Sequence, residues 1–162
     1  MDYIEFYKHI YEKFSIITPL YFDCGQLCNN KCCQNNNKGM ILFPFEEEFL
    51  NSFENDYNIV KSNSYSILYC YGTCNRNFRP LSCIIFPLFP FLYEDGRLDI
   101  RLDPRSKNFC PLYYQDIPEL EFQPLFRIKL FILFNELIKD TNIKEFLKKL
   151  TLELIEIEKF TK

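Results

Sequence analysis

The sequence predicts an α+β fold in which small, metal-stabilised cysteine-rich loops lie on a short antiparallel sheet, with packed helices at the N- and C-terminal ends. Three observations predict it: apolar residues recur at helical spacing near both ends, an Asp-Gly turn joins two strand-like segments, and eight cysteines lie between the helices. A chain of 162 residues can bury a core without covalent cross-links. We therefore expect residues 1–162 to form a single cysteine-cluster metal-binding domain.

An apolar stripe with the three-and-four spacing of an amphipathic helix indicates the first element. Glu5, Lys8, His9 and Glu12 fall on the opposite, polar face. Because His9 is the only histidine in the chain, Ser-His-Asp or Cys-His catalysis would depend on a surface residue, and we do not expect it. The stripe consists of Tyr3, Phe6, Tyr7, Ile10, Tyr11 and Phe14.

The next elements are a short strand and a short helix. A polar tract at 34–39 precedes the apolar run Met40–Phe43, which we interpret as a strand. Pro44 and the acidic residues Glu46–Glu48 follow, and both proline and acidic side chains are favourable at a helix N-terminus. We therefore assign the three carboxylates to helix initiation rather than to catalysis.

Three further strands are predicted in the middle of the chain. Ser64–Tyr69 forms a strand that leads into the second cysteine loop. The clearest hairpin signal is the Asp95-Gly96 turn, which joins Phe89–Tyr93 to the alternating apolar and charged residues of Leu98–Leu102.

The last third of the sequence predicts two packed helices over residues 124–160. Pro124–Lys139 is apolar on nearly every face, and a single apolar stripe follows it. Asn142 and Glu145 have the spacing of a capping box, which predicts that Asn142 caps the second helix. The stripe consists of Ile143, Phe146, Leu147, Leu150, Leu154 and Ile157.

Composition restricts the location and partners. The acidic start of the chain lacks a basic segment followed by an apolar one, so we expect no secretory signal and a cytoplasmic protein. The longest apolar run, Cys83–Tyr93, is too short to cross a membrane and contains Pro87 and Pro90. With a net charge of −3 and no block of lysine and arginine, the chain predicts no nucleic-acid partner.

The cysteines lie in three predicted loops, at 24–39, 70–83 and 104–112. Thiols stay reduced in the cytosol, where clustered cysteines more often hold metal than form disulfides. Soft thiolates favour zinc or iron–sulfur clusters. A disulfide framework would need an oxidising compartment, and for Cys83 the alternative is a small buried hydrophobic side chain. The candidate metal ligands are Cys24, Cys28, Cys32, Cys33, Cys70, Cys74, Cys83 and Cys110.

Spacing alone does not pair these ligands. A C-x3-C pair chelates either from one helical face or from a loop, and ligands distant in sequence, such as Cys83 and Cys110, are expected to lie near the first cysteine loop. The side chains of Cys32 and Cys33 diverge unless the backbone turns sharply, which leaves open that one serves a different metal or none. The C-x2-C pairs of zinc ribbons are missing, and a radical-SAM C-x3-C-x2-C motif fails by one residue.

The run Asp23–Cys33, followed by Cys70, Cys74, the Arg79-Pro80-Leu81-Ser82-Cys83 element and Phe86-Pro87, resembles the YkgJ-type cysteine-cluster family. That family is described as a zinc- or iron-chelating CxxCxxCC domain, and the resemblance extends from about Cys24 to Leu112. Here the spacing is C-x3-C-x3-C-C, so ligand set and metal identity stay open. Flagellin lysine N-methylases carry a related cysteine pattern, which implies an iron–sulfur cluster. They are much longer proteins, and methyl transfer is not carried over.

Three function classes follow. The first is an iron–sulfur protein, with a cluster of the [4Fe–4S] type, that serves a partner protein in redox chemistry, metal delivery or an accessory role. The second is a zinc-stabilised interaction module without catalysis, and the third is a small protein-modifying enzyme, for which no general base or nucleotide-binding loop is found.

Arg79 is expected either to balance the charge of a thiolate-rich site or to make a loop hydrogen bond, and Pro80 to shape the turn before Cys83.

Overall fold

A computed structural model of the chain describes residues 2–33, 39–53, 57–62, 64–71, 75–108, 110–114 and 122–160. The chain divides into two compact units. Unit 1 consists of Met1–Ile17 and Asn30–Ile84, and unit 2 of Thr18–Asn29 and Ile85–Lys162. Each unit contains helices and a short antiparallel sheet, which confirms the α+β class. The prediction that the whole chain behaves as one domain stays a prediction.

Unit 1 begins with helix α1 (Tyr3–Phe14), as the apolar stripe predicted. Asp2 caps it by accepting hydrogen bonds from two backbone N–H groups of the first turn. Tyr7, Ile10 and Tyr11 are its buried residues, and it packs against the short helix α3 (Glu46–Leu50).

A three-stranded antiparallel sheet completes the regular structure of unit 1. Its strands are β1 (Met40–Ile41), β2 (Tyr57–Lys61) and β3 (Ser66–Cys70), in the order β1-β3-β2. The sequence did not predict β2, because its residues are only partly buried and give a weak alternation. Helix α4 (Leu81–Ile85) follows β3, and all of its residues except Ile85 belong to unit 1.

Unit 2 contains the predicted hairpin. Strands β4 (Leu88–Leu92) and β5 (Leu98–Leu102) pair antiparallel. Gly96 takes a positive φ of 85° in the turn, a conformation that glycine adopts without steric penalty. Every residue of β4 is buried. The described residues therefore form two sheets, whereas the sequence predicted one.

Two long helices cover this hairpin, as predicted for residues 124–160. They are α5 (Pro124–Leu137) and α6 (Thr141–Phe160), and both pack against β4. The predicted cap of α6 is wrong: Asp140, not Asn142, accepts hydrogen bonds from the N–H groups of Asn142 and Ile143. Asn142 lies within the first helical turn, so the capping position is two residues earlier than the Asn-Glu spacing indicated. Within the described residues, no helix has the length and apolar character needed to span a membrane.

Candidate metal centre

Cys24 and Cys28 lie one helical turn apart in unit 2. Helix α2 (Gly25–Cys28) begins directly after Cys24 and ends at Asn29, whose φ of 51° is left-handed. Residues four apart in a helix share one face, so this C-x3-C pair presents its thiols from a helical turn. Both cysteines are partly buried.

The segment before α2 is held to the start of α5. The Gln123 backbone N–H donates to the carbonyl oxygen of Pro19 over 2.9 Å. Its side-chain amide donates to the carbonyl oxygen of Leu20, and the Leu20 side chain is buried. These contacts fix the start of the first cysteine loop within unit 2.

Cys110, although distant in sequence, lies in the neighbourhood of Cys24 and Cys28. The pKa of the Cys110 thiol is raised to about 11, mainly by burial and additionally by the charges of Cys24 and Cys28. An electrostatic effect of this kind requires Cys24 and Cys28 each to lie near Cys110. Backbone hydrogen bonding from Leu112, and to a smaller extent from Tyr113, lowers the pKa and favours the thiolate form, although the Tyr113 N–H also donates to the Cys110 carbonyl oxygen over 3.0 Å.

A hydrogen-bonded turn after β5 positions Cys110. Asp103 is buried and pairs with Arg105 through both carboxylate oxygens, at 2.9 Å from Nε and 2.6 Å from Nη2. Ser106 is also buried and donates from Oγ to the Asp103 carbonyl oxygen. The Cys110 backbone N–H then donates to the Ser106 carbonyl oxygen over 2.9 Å. This turn places Cys110 independently of its thiol chemistry.

Sequence reasoning named Cys110 but missed the two N–H donors beside it. The only signal was Pro111, which starts a 3₁₀ turn over Pro111–Tyr113. The Tyr113 N–H closes this turn by donating to the Cys110 carbonyl oxygen, and the Leu112 N–H, which comes earlier in the turn, is available to the Cys110 side chain.

The other described cysteines belong to unit 1. Cys32 and Cys33 lie in a 3₁₀ turn, Lys31–Cys33, with their sulfurs 3.8 Å apart. Cys70 ends β3 and Cys83 lies in α4. Cys83 is close enough to Tyr11 to contribute electrostatically to its raised pKa, although burial is the main cause. All seven described cysteines are thiols rather than disulfides, and Cys74 lies outside the described residues.

Arg79 makes the predicted loop hydrogen bonds. Its Nη2 donates to the carbonyl oxygens of Ser15 and Ile17, at 3.4 and 2.9 Å. Its Nε is buried, and within the described part of the chain no atom accepts its hydrogen. A buried donor without an acceptor costs free energy. The Nε–H of Arg79 can therefore donate a hydrogen bond to one further acceptor.

Glu46 is a buried group that the sequence did not single out. Its Oε1 accepts hydrogen bonds from the Tyr11 hydroxyl at 2.7 Å and the Leu81 N–H at 2.6 Å, and Oε2 accepts from the Phe43 N–H at 2.9 Å. It starts α3 as predicted, but its side chain turns into the core. No local pattern distinguishes it from Glu47 and Glu48.

Within the described ranges, no three His, Cys, Asp or Glu side chains are already gathered closely enough to hold a metal ion. The donor set of unit 2 nevertheless suits a soft metal, because all three side chains are thiols and the charges of Cys24 and Cys28 reach Cys110. No family model, curated protein or solved structure matches the chain.

Proposed function

We propose that the protein binds an iron–sulfur cluster through cysteine thiolates and serves a partner protein in redox chemistry, metal delivery or an accessory role. The observation that carries this proposal is the neighbourhood of Cys110 with Cys24 and Cys28 in unit 2. Two separate segments, each fixed by its own hydrogen bonds, present thiols in one region of this unit.

The chemistry of Cys110 supports a metal ligand. With a pKa of about 11 its thiol is protonated at neutral pH, and a metal must displace that proton to bind the sulfur. The hydrogen bonds from Leu112 and Tyr113 then stabilise the bound thiolate, as N–H groups do around the sulfurs of iron–sulfur clusters, where they also tune the potential.

Taken by themselves, the thiols of unit 2 suit a reactive centre better than a purely structural one. Unit 2 contains three cysteines, Cys24, Cys28 and Cys110, whereas closed structural zinc sites have four protein ligands. A centre held by three thiolates keeps one position for another ligand, which suits metal delivery or redox exchange.

The second candidate function is a zinc-stabilised interaction module without catalysis. The resemblance to the YkgJ-type family supports either metal, since that family is described as zinc- or iron-chelating. The metal itself distinguishes the two functions.

The test is anaerobic purification followed by analysis of iron, zinc and acid-labile sulfide. We expect a brown protein with iron and sulfide, and a marked loss of both in each of Cys24→Ser, Cys28→Ser and Cys110→Ser. Gln26→Ser replaces an exposed residue of the same short helix and is the matched control that should keep its metal.

A colourless protein with stoichiometric zinc would contradict the iron–sulfur proposal and support the interaction module. Full metal content in all three cysteine variants would exclude unit 2 as the site for either metal.

A further inference from the structure

We propose that Cys32 and Cys33 form a thiol site of their own that binds a single thiophilic ion through both sulfurs. The ligand class is a mononuclear soft ion or a trivalent arsenic compound. This inference goes beyond the proposed function and does not depend on it, because it uses none of the three cysteines that carry the proposed function.

The two side chains converge although the backbone would separate them. In a 3₁₀ turn, which has three residues per turn, neighbouring side chains leave the axis about 120° apart. The sulfurs of Cys32 and Cys33 are nevertheless 3.8 Å apart. This distance is well beyond the roughly 2.05 Å of a disulfide, so the pair is a dithiol.

The distance fits two ligands of one ion. Metal–sulfur bonds of about 2.3 Å at a tetrahedral angle place two sulfurs about 3.8 Å apart. In a [4Fe–4S] cluster each cysteine binds a different iron, so two cluster ligands lie farther apart than two ligands on one ion. The spacing of Cys32 and Cys33 therefore fits two ligands of one ion and does not fit ligands of two different irons in a [4Fe–4S] cluster.

The site is accessible and its backbone is held in place. Cys32 is exposed and Cys33 partly buried, so a solvated ion reaches both sulfurs without opening the core. Asn30 has a left-handed φ of 54°, a region that asparagine tolerates better than most residues. Its carbonyl oxygen accepts the Cys33 N–H over 2.7 Å, which closes the turn.

Phenylarsine oxide is a suitable probe because it forms a stable adduct only with two neighbouring thiols. Its arsenic forms two As–S bonds, and the two thiol protons leave with its oxygen as one water molecule. Arsenic stays trivalent and no oxidant is needed.

Trypsin separates the candidate sites for mass spectrometry. Cleavage after Lys31 and Lys38 releases Cys32 and Cys33 on one short peptide with no other cysteine. Cys24 and Cys28 fall on the preceding peptide, 14–31, and Cys110 on 108–127. The adducts on these peptides are thus counted independently. If one peptide carries no adduct, labelling of the others can still be measured.

The full-length reduced protein, labelled in its native state, should carry one phenylarsenic group on peptide 32–38. Cys32→Ser and Cys33→Ser should each abolish this adduct and leave labelling of peptide 14–31 unchanged. Because the sulfurs are already converged, the native chain should react roughly tenfold faster at this peptide than the urea-unfolded chain.

Equal rates in native and unfolded protein would show that the fold does not organise the pair. An adduct that survives in either serine variant would show that the arsenic is not bridged by these two sulfurs. Either result would overturn the proposal.

Discussion

Glu46 joins three segments of unit 1 through one carboxylate. Its oxygens accept hydrogen bonds from Tyr11 in α1, from Phe43 before α3, and from Leu81 at the start of α4. The side chain is fully buried, and burial raises its pKa, although the three hydrogen bonds oppose the shift. The protonation of the Glu46 carboxyl is therefore coupled to the position of α4, the helix that contains Cys83.

Glu46→Gln should change the pH dependence of unit 1 stability. A carboxyl pKa raised on folding contributes stability that is full below the unfolded value of about 4.3 and is lost as pH rises through the folded value. We expect the variant to be less stable by about 1–3 kcal/mol at acidic pH, because the amide nitrogen cannot accept a backbone N–H.

The difference between wild type and Glu46→Gln should narrow as pH rises, since the variant has no group to titrate there. Urea unfolding across a pH series, followed by tyrosine fluorescence, measures the loss of stability at acidic pH and its change as pH rises. Glu48→Gln is the matched control, because Glu48 is exposed in the same helix. A constant or widening difference would show that Glu46 does not titrate in this way.

At the scale of an element, the N-terminus of helix α6 is capped by Asp140. Asp140 lies between α5 and α6 and accepts hydrogen bonds from the N–H groups of Asn142 and Ile143 at 2.8 and 3.0 Å. Its carbonyl oxygen also accepts the Lys144 N–H over 2.9 Å. Its negative charge lies at the helix N-terminus, where the macrodipole favours it.

Asp140→Ala should destabilise the protein by about 1 kcal/mol through loss of this cap. Asn142→Ala should cost less, because the capping bonds go to Asp140 and alanine favours the helix interior. Thermal unfolding followed by circular dichroism at 222 nm compares the two variants. A larger loss for Asn142→Ala would restore the assignment that its spacing with Glu145 suggested.

At the scale of the molecule, the helical core of unit 2 is built from side chains other than cysteine. Leu130, Phe134, Leu147 and Leu154 are fully buried in α5 and α6, and each such side chain contributes roughly 1.5–3 kcal/mol on burial. The Leu92 N–H donates to Thr151 Oγ1 over 2.8 Å and ties β4 to α6. None of these contacts involves a cysteine side chain.

Metal removal should therefore loosen the cysteine segments and leave the helices. After anaerobic chelation we expect faster hydrogen exchange at residues 24–28 and 110–113, while α5 and α6 keep their protection and most helical circular dichroism remains. Small zinc fingers behave differently, because they unfold completely without metal. Cooperative loss of the whole helical signal would show that the metal supports the fold.

The elements that the sequence determined by itself are those with a local signal. The stripe of α1, the Asp95-Gly96 turn of the hairpin and the apolar patterns of α5 and α6 each lie within one stretch of chain, and all four elements formed where expected. Periodicity and turn chemistry act between near neighbours, so they can be read without knowing what packs nearby.

Only the tertiary structure decided which chemical groups meet. Glu46 has the same local setting as the next two glutamates, yet it alone among them is buried, because Tyr11, Phe43 and Leu81 surround it. Cys110 comes near Cys24 and Cys28 because the Asp103–Ser106 turn and the bonds of Gln123 position separate segments of unit 2. Contacts between distant segments depend on packing and long-range hydrogen bonds, and no local pattern encodes them.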